Sequence, residues 1–172
     1  WLGEGTAPFW VFEAEANDVA NYSLIVEGGP ADGAAFQIRD PQNLVVVNVD
    51  ESLPAINTPT VSDHRGVEPY CTRVPEPCPF HELTLTGALA AGKRVVFIVG
   101  TPAHCQTAVC APVLDGLVEL AKDFSDVIFV HADVYIDETA TTTAPVIDAL
   151  NLTFEPVLWV TDTSGVITHR FE

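Results

Sequence analysis

The chain has 172 residues, 48% of them hydrophobic and 18% charged, which suits one domain with a real core, or one domain plus part of another, and excludes a disordered polymer. Its formal net charge of −17 repels phosphate backbones and excludes nucleic acid as a partner; the acidic residues are scattered and read as a solvated surface that aids solubility. No apolar run approaches the length of a membrane span and no signal peptide is visible, so the chain is expected to be a processed or truncated piece, with an upstream anchor left open.

Residues 1–52 read as a β-rich module. Phe9-Trp10-Val11-Phe12 is a short apolar strand. Tyr22-Ser-Leu24-Ile-Val26 alternates and ends at the turn cluster Glu27-Gly28-Gly29-Pro30. Ala34 to Ile38 is a further strand, and Leu44 to Val49 a fourth apolar run. The pair of strands around the turn resembles the last hairpin of an immunoglobulin-like sandwich. A full sandwich has about seven strands, so the module is expected to be truncated at Trp1. The alternative is that these strands extend the next domain.

Residues 53–80 read as a linker rich in Pro, Thr and Asp, unsuited to helix or central strand. Cys71 and Cys78 lie close together in it. A zinc reading would use Cys71, Cys78, His64 and His81, but the spacing is not that of a C-x-x-C knuckle and prolines crowd the ligands. The pair is therefore read as a structural disulfide, no metal site is assigned, and no cofactor is expected. A disulfide here implies an oxidising, extracytoplasmic setting: secreted, periplasmic or cell-surface.

His81 to Gly92 mixes a short strand with a short helix that ends at Gly92. Val95 to Val99 is an unbroken apolar, mostly β-branched run, expected to be a strand buried on both faces. Gly100-Thr101-Pro102 breaks it. Cys105-Gln-Thr-Ala-Val-Cys110 follows, and from Pro112 the residues Val113, Leu114, Leu117, Val118, Leu120 and Ala121 recur at helical spacing, with Asp115, Glu119 and Lys122 on the other face. Two cysteines thus sit where a buried strand ends and a helix begins, where free N–H groups and the helix dipole favour a thiolate. Asp126 to Val134 is a second buried strand and Thr139 to Leu150 a helix with Pro145 near its first turn. Val157 to Val160, the turn Asp162-Thr-Ser-Gly165 and Val166 to Phe171 form a closing hairpin. Alternating β and α predicts parallel neighbours in an α/β sheet, with the last two strands antiparallel.

Residues 81–172 resemble the thioredoxin-like superfamily, above all its extracytoplasmic bacterial branch. The likeness rests on the strand and cysteine-bearing helix start with Ala111-Pro112-Val-Leu-Asp115, on Ala132-Asp133-Val134, on Phe154-Glu155-Pro156 before a strand, and on Asp162-Thr-Ser-Gly165-Val-Ile. The resemblance implies a central mixed sheet flanked by helices, here lacking the usual last helix. It implies a cis Glu155–Pro156 peptide facing the cysteines, where an extended substrate would pair. It also implies thiol–disulfide exchange with protein thiols or disulfides as partners, with Cys105 as nucleophile and Cys110 resolving; the whole could belong to a larger multidomain protein. The departure is spacing: thioredoxins carry C-x-x-C, whereas four residues intervene here. The pair also has a likeness to atypical two-cysteine peroxiredoxins. Their Pro-x-x-x-Thr-x-x-Cys pattern is not intact, however, and only Arg170 is available downstream to support a peroxidatic thiolate. His104 beside Cys105 suggests copper-delivery proteins as a third comparison. A thioredoxin-like binding or scaffold module with structural disulfides is the rival from outside enzymology.

Five residues apart on a regular helix, the cysteines would be separated by a rise of ~7.5 Å, beyond the usual Cα separation of a disulfide, about 4.4–6.8 Å. A bond therefore requires Cys105 to lie before a helix that begins late; a reduced pair would let it start near Gln106 or Thr107. His131 reads as a satisfied core histidine, and Phe154 and Trp159 as core packing.

Overall fold

The computed structural model describes residues 15, 16, 18–29, 31, 33–40, 45–105 and 109–172. The strand expected at Phe9 to Phe12 and the alternative helix start at Gln106 or Thr107 lie outside the described residues. The chain divides into two compact units, Trp1–Val45 and Val46–Glu172.

In the first unit, β1 (Asn21–Leu24) pairs antiparallel with β2 (Ala34–Gln37). Tyr22 and Phe36 are directly opposite and their rings stack at 5.4 Å, an aromatic cross-strand pair of the kind that sets register. This is the expected hairpin. The unit's described residues hold no further strand.

The second unit contains α1 (Leu85–Ala90), β3 (Arg94–Val99), α2 (Cys110–Leu120), β4 (Val127–Ala132), α3 (Pro145–Leu150), β5 (Val157–Thr161) and β6 (Ile167–Phe171). The strands form an open mixed sheet in the order β4-β3-β5-β6. β3 is parallel to β4 and antiparallel to β5, and β5 is antiparallel to β6. The β-α-β crossover and the closing hairpin are as expected.

Period-two alternation assigns the two faces of the sheet. Val95, Phe97 and Val99 on β3, Val130 and Ala132 on β4 and Val157 and Trp159 on β5 share one hydrophobic cluster with Leu85 and Ala88 of α1 and Val146 and Leu150 of α3. Ile98, with Val96, Phe129 and Leu158, belongs to a second cluster with Leu114 and Leu117 of α2 and with Cys71, Cys78 and Phe80. The unbroken apolar run of β3 is thus explained: both of its faces are covered.

Thr84 caps α1 by accepting from Gly87 N–H at 2.9 Å, and Gly92 follows its end with φ +66. The short strand expected before α1 is absent, since residues 81–84 turn into this cap instead. α3 starts at Pro145, later than the expected Thr139, because proline suits the first turn and biases its predecessor to extended backbone.

The segment from Val46 to Leu53 belongs to the second unit rather than to the β module. Val46 and Leu53 are buried in its core, Trp159 Nε1–H donates to Val47 O at 3.0 Å, and Asp50 and Glu51 exchange backbone hydrogen bonds with Ile167. The proline-rich stretch that reads as a linker is also part of this unit. Thr58, Thr60, Val67, Cys71, Cys78 and Phe80 are buried. Prolines exclude regular elements there, but they do not exclude burial.

Candidate functional site

Two sulfur centres lie in the second unit. The first follows β3. Gly100 leaves the strand with its N–H still bonded to Ala132 O at 3.1 Å, and Thr101 is tied down on both sides: its N–H donates to Glu155 Oε2 at 2.5 Å, and its Oγ1 accepts from Val134 N–H at 2.7 Å. The chain then reaches Cys105, half-buried, which is bonded to the buried Cys110 with a Cα–Cα distance of 5.9 Å. α2 begins at Cys110 itself. Cys105 therefore lies before the helix, as the spacing requires.

The surroundings of this disulfide are polar on one side and closed on the other. Cys110 N–H, the first of α2, points at Cys105 Sγ at 3.3 Å. Cys110 Sγ lies 3.6 Å from Glu155 Oε2. Burial is the largest influence on the Glu155 carboxyl and, against the Thr101 N–H, holds it above the ordinary carboxylate range. The Glu155–Pro156 peptide is cis, as the resemblance implies. A Cβ on Gly100 would stand 3.2 Å from Pro156 Cβ and 3.6 Å from Cys110 Sγ, so strand end, proline and disulfide are in close contact. The structure thus brings together all four residues singled out around this pair: Cys105, Cys110, Glu155 and Pro156.

The second centre replaces the disulfide expected between Cys71 and Cys78. Those two cysteines are unbonded and buried. They converge with His81 and His131, and one ligand atom from each of the four residues lies within 4.8 Å of the others. The expectation fails because the two sulfurs face a shared centre with two imidazole nitrogens, rather than each other alone. His64, the histidine considered beside them, is elsewhere: its Nδ1 is 2.6 Å from Glu68 Oε2, and its ring lies against Tyr70. His131 takes its place, delivered by β4 on the face that carries α2.

Local backbone makes this cluster. β4 is an edge strand of the sheet, and its His131 N–H donates to Phe80 O at 3.1 Å, which draws the 78–81 segment onto the strand. Asp133, also buried, accepts from Thr72 N–H at 2.9 Å and from Thr72 Oγ1 at 2.7 Å, which fixes the chain beside Cys71. Thr72 Oγ1 also accepts from Ala103 N–H at 3.3 Å, so the loop that leads to Cys105 leans on the same residue.

Charge in the cluster is shared unequally. The hydrogen bond from Cys78 draws the Cys71 thiol far below its ordinary value, against the cost of burial, with His131 and His81 adding to the effect. Cys78 is correspondingly pushed up by Cys71 and by burial. Burial works against a charged His131, but the hydrogen bond with Cys71 and the nearby Asp133 lift it on balance. Asp133 is raised, chiefly by burial.

No family model matches the chain, and neither a curated protein nor a solved structure matches it. What the chain shows by itself is a disulfide-forming cysteine pair and a buried Cys/His cluster on an α/β sheet, the equipment of redox and metal-binding chemistry. None of its helices among the described residues is long and apolar enough to cross a membrane.

Proposed function

We propose that the second unit is a thioredoxin-like thiol–disulfide oxidoreductase, acting on protein thiols or disulfides in an extracytoplasmic setting. The observation that carries the reading is the Cys105–Cys110 bond at the junction of β3 and α2, with Cys105 only partly buried, Cys110 buried, and Glu155 and Pro156 against it. A staple has no need of that asymmetry, whereas an exchange catalyst uses both ends of it.

In the reducing direction, the Cys105 thiolate attacks one sulfur of a substrate disulfide. A mixed disulfide forms, and the other substrate sulfur leaves as a thiolate that takes a proton from solvent. The Cys110 N–H and the helix dipole stabilise the attacking thiolate. Cys110 then passes its proton to the Glu155 carboxylate and attacks Cys105 Sγ. The second substrate thiolate is released, the substrate has gained two electrons, and the Cys105–Cys110 disulfide has formed. A dithiol reductant returns the pair to the start. Pro156 and the backbone of Glu155 line the position where an extended substrate segment would lie.

The peroxidase reading gains no support from Arg170. It sits on β6, the edge strand separated from β3 by β5, and its guanidinium is paired with Glu172. Insulin-disulfide reduction by the chain in the presence of a dithiol tests the proposal. The activity is expected to vanish in Cys105→Ser, and Cys110→Ser is expected to accumulate the mixed disulfide. A rate no faster than that of the dithiol alone would leave the scaffold reading standing.

A further inference from the structure

The second sulfur centre has no part in the exchange chemistry just described, yet all four of its residues are buried: Cys71 is 5% exposed, Cys78 3%, and His81 and His131 0%. We propose that Cys71, Cys78, His81 and His131 form a closed tetrahedral site for one zinc ion, which organises the proline-rich 54–81 segment against the sheet.

The first argument is the direction of the lone pairs. His131 Nε2–H donates to Gly100 O at 2.8 Å, and His81 Nδ1–H donates to Pro59 O at 3.3 Å. A carbonyl only accepts, so these bonds fix the tautomer of each ring in the neutral form that ligates a metal. They leave His131 Nδ1 and His81 Nε2 as bare lone pairs, and those two atoms face each other at 3.1 Å. Two sulfurs complete the group. Four electron-rich atoms turned toward one buried point are what a cation stabilises and what an apolar core does not tolerate. The hydrogen bond from each ring's far nitrogen to a carbonyl is also the usual outer support of a metal-binding histidine.

The second argument is size. Metal–sulfur bonds of ~2.3 Å and metal–nitrogen bonds of ~2.05 Å at tetrahedral angles give edges of about 3.3 Å for N–N and about 3.6 Å for N–S. The corresponding distances here are 3.1 Å between the nitrogens, and 3.5 Å and 3.7 Å from His131 Nδ1 to the sulfurs of Cys78 and Cys71. Three of the six edges thus have the lengths of a zinc-sized tetrahedron, and the other three lie within 4.8 Å. Two sulfurs and two nitrogens in that geometry select zinc over the hard, oxygen-seeking cations. Burial of all four ligands leaves no open position for a substrate, which makes the site structural rather than catalytic.

The third argument is need. Residues 54–81 contribute buried side chains without any helix or strand of their own. A metal that joins Cys71, Cys78 and His81 to His131 on β4 closes this segment onto the sheet. Binding as thiolates displaces the thiol protons of Cys71 and Cys78 to solvent, and none of the four donors changes oxidation state.

The test uses the whole chain, reduced and stripped of metal under anaerobic conditions, then titrated with zinc or with cobalt(II) as its spectroscopic substitute. About one equivalent should bind, with the visible bands of tetrahedral, thiolate-ligated cobalt. Cys105→Ser/Cys110→Ser and His64→Ala should bind as the unaltered chain does, whereas Cys71→Ser/Cys78→Ser should lose the ion. The Cys105/Cys110 control matters because those sulfurs and Glu155 also lie close together. A readout independent of variant folding is alkylation of the unaltered chain: zinc should shield Cys71 and Cys78 from the reagent until a chelator is added. Failure to bind stoichiometrically, six-coordinate cobalt, unshielded cysteines, or binding that follows Cys105 and Cys110 would each overturn the proposal. None of these outcomes decides whether the Cys105–Cys110 pair exchanges disulfides.

Discussion

Replacing Glu155 by Gln separates the proton's path from the fold. The carboxylate accepts from Thr101 N–H at 2.5 Å and stands 3.6 Å from Cys110 Sγ. Gln keeps an acceptor oxygen for Thr101 but cannot take a proton. The hydrogen bond changes from charge-assisted to neutral, a loss of about 1 kcal/mol. Relief of a half-buried charge offsets part of this, so stability in urea should move by less than about 1 kcal/mol. The resolving step loses its general base, and such a loss typically costs at least about 10²-fold in rate, or about 2.7 kcal/mol at the barrier. Cys105 attack should be spared, so mixed-disulfide formation in a Cys110→Ser background should be unchanged by Glu155→Gln. The pH dependence has a definite sign. Because burial raises this carboxyl, the folded chain holds the proton more tightly than the unfolded one does, and stability grows as pH falls through the raised value and is given up above it. The resolving rate runs the other way, rising as Glu155 ionises through its raised value. The variant should lose both dependences. An unchanged rate across that window, or parallel losses of rate and fold, would refute the role given to Glu155.

Gly100→Ala should destabilise the second unit by roughly 1–3 kcal/mol in denaturant titration and slow disulfide exchange. The new methyl would stand 3.2 Å from Pro156 Cβ, and the Gly100 backbone, bonded to Ala132 O and to His131, cannot retreat. Asp133→Ala strands the part-buried Thr72 N–H and hydroxyl, at a total cost of roughly 1–3 kcal/mol; the loss should be read by thermal unfolding, with Asp133→Asn recovering part of it through its remaining oxygen. Leu150→Ala, at a fully buried position of α3, should cost about 2–5 kcal/mol in the same assay.

Much of the sheet is legible in the sequence because its signals are local. The apolar run of β3, the proline at the start of α3 and the Asp162–Gly165 turn each carry their geometry within a few residues. The cysteine pair is legible for the same reason, since the end of a strand and the start of a helix bracket it. The Cys/His cluster is not. Cys71 and His131 are 60 residues apart, and they meet because β4 lies at the edge of the sheet and receives the 78–81 segment. His131 reads as a core histidine, and a core histidine it is, but its burial says nothing about which nitrogen is free. The available signal was its setting: an ionisable side chain inside the strand Val127–Ala132, on the face shared with Phe129. The domain boundary was obscured in a similar way, because Val46 and Leu53 share a hydrophobic cluster with Ile167 of β6, more than a hundred positions away.

The two sulfur centres belong to one face of one sheet, and the fold keeps their chemistry apart by access. Cys105 is only partly buried at the loop before α2; Cys71 and Cys78 are buried in a cluster with Phe80 and α2. A thiolate exchanges only if it can be approached in line with the sulfur it attacks, so the lowered Cys71 thiol is reactive in charge but not in reach. The centres still share backbone. Gly100 O accepts from His131, while the position of the missing Gly100 side chain abuts Cys110 and Pro156; Thr72 joins Asp133 to the loop before Cys105. The buried cluster therefore fixes the floor on which the Cys105–Cys110 disulfide rests, and disorder at the Cys/His centre should reach that pair through Gly100 and Thr72 before it reaches the far face packed by α1 and α3.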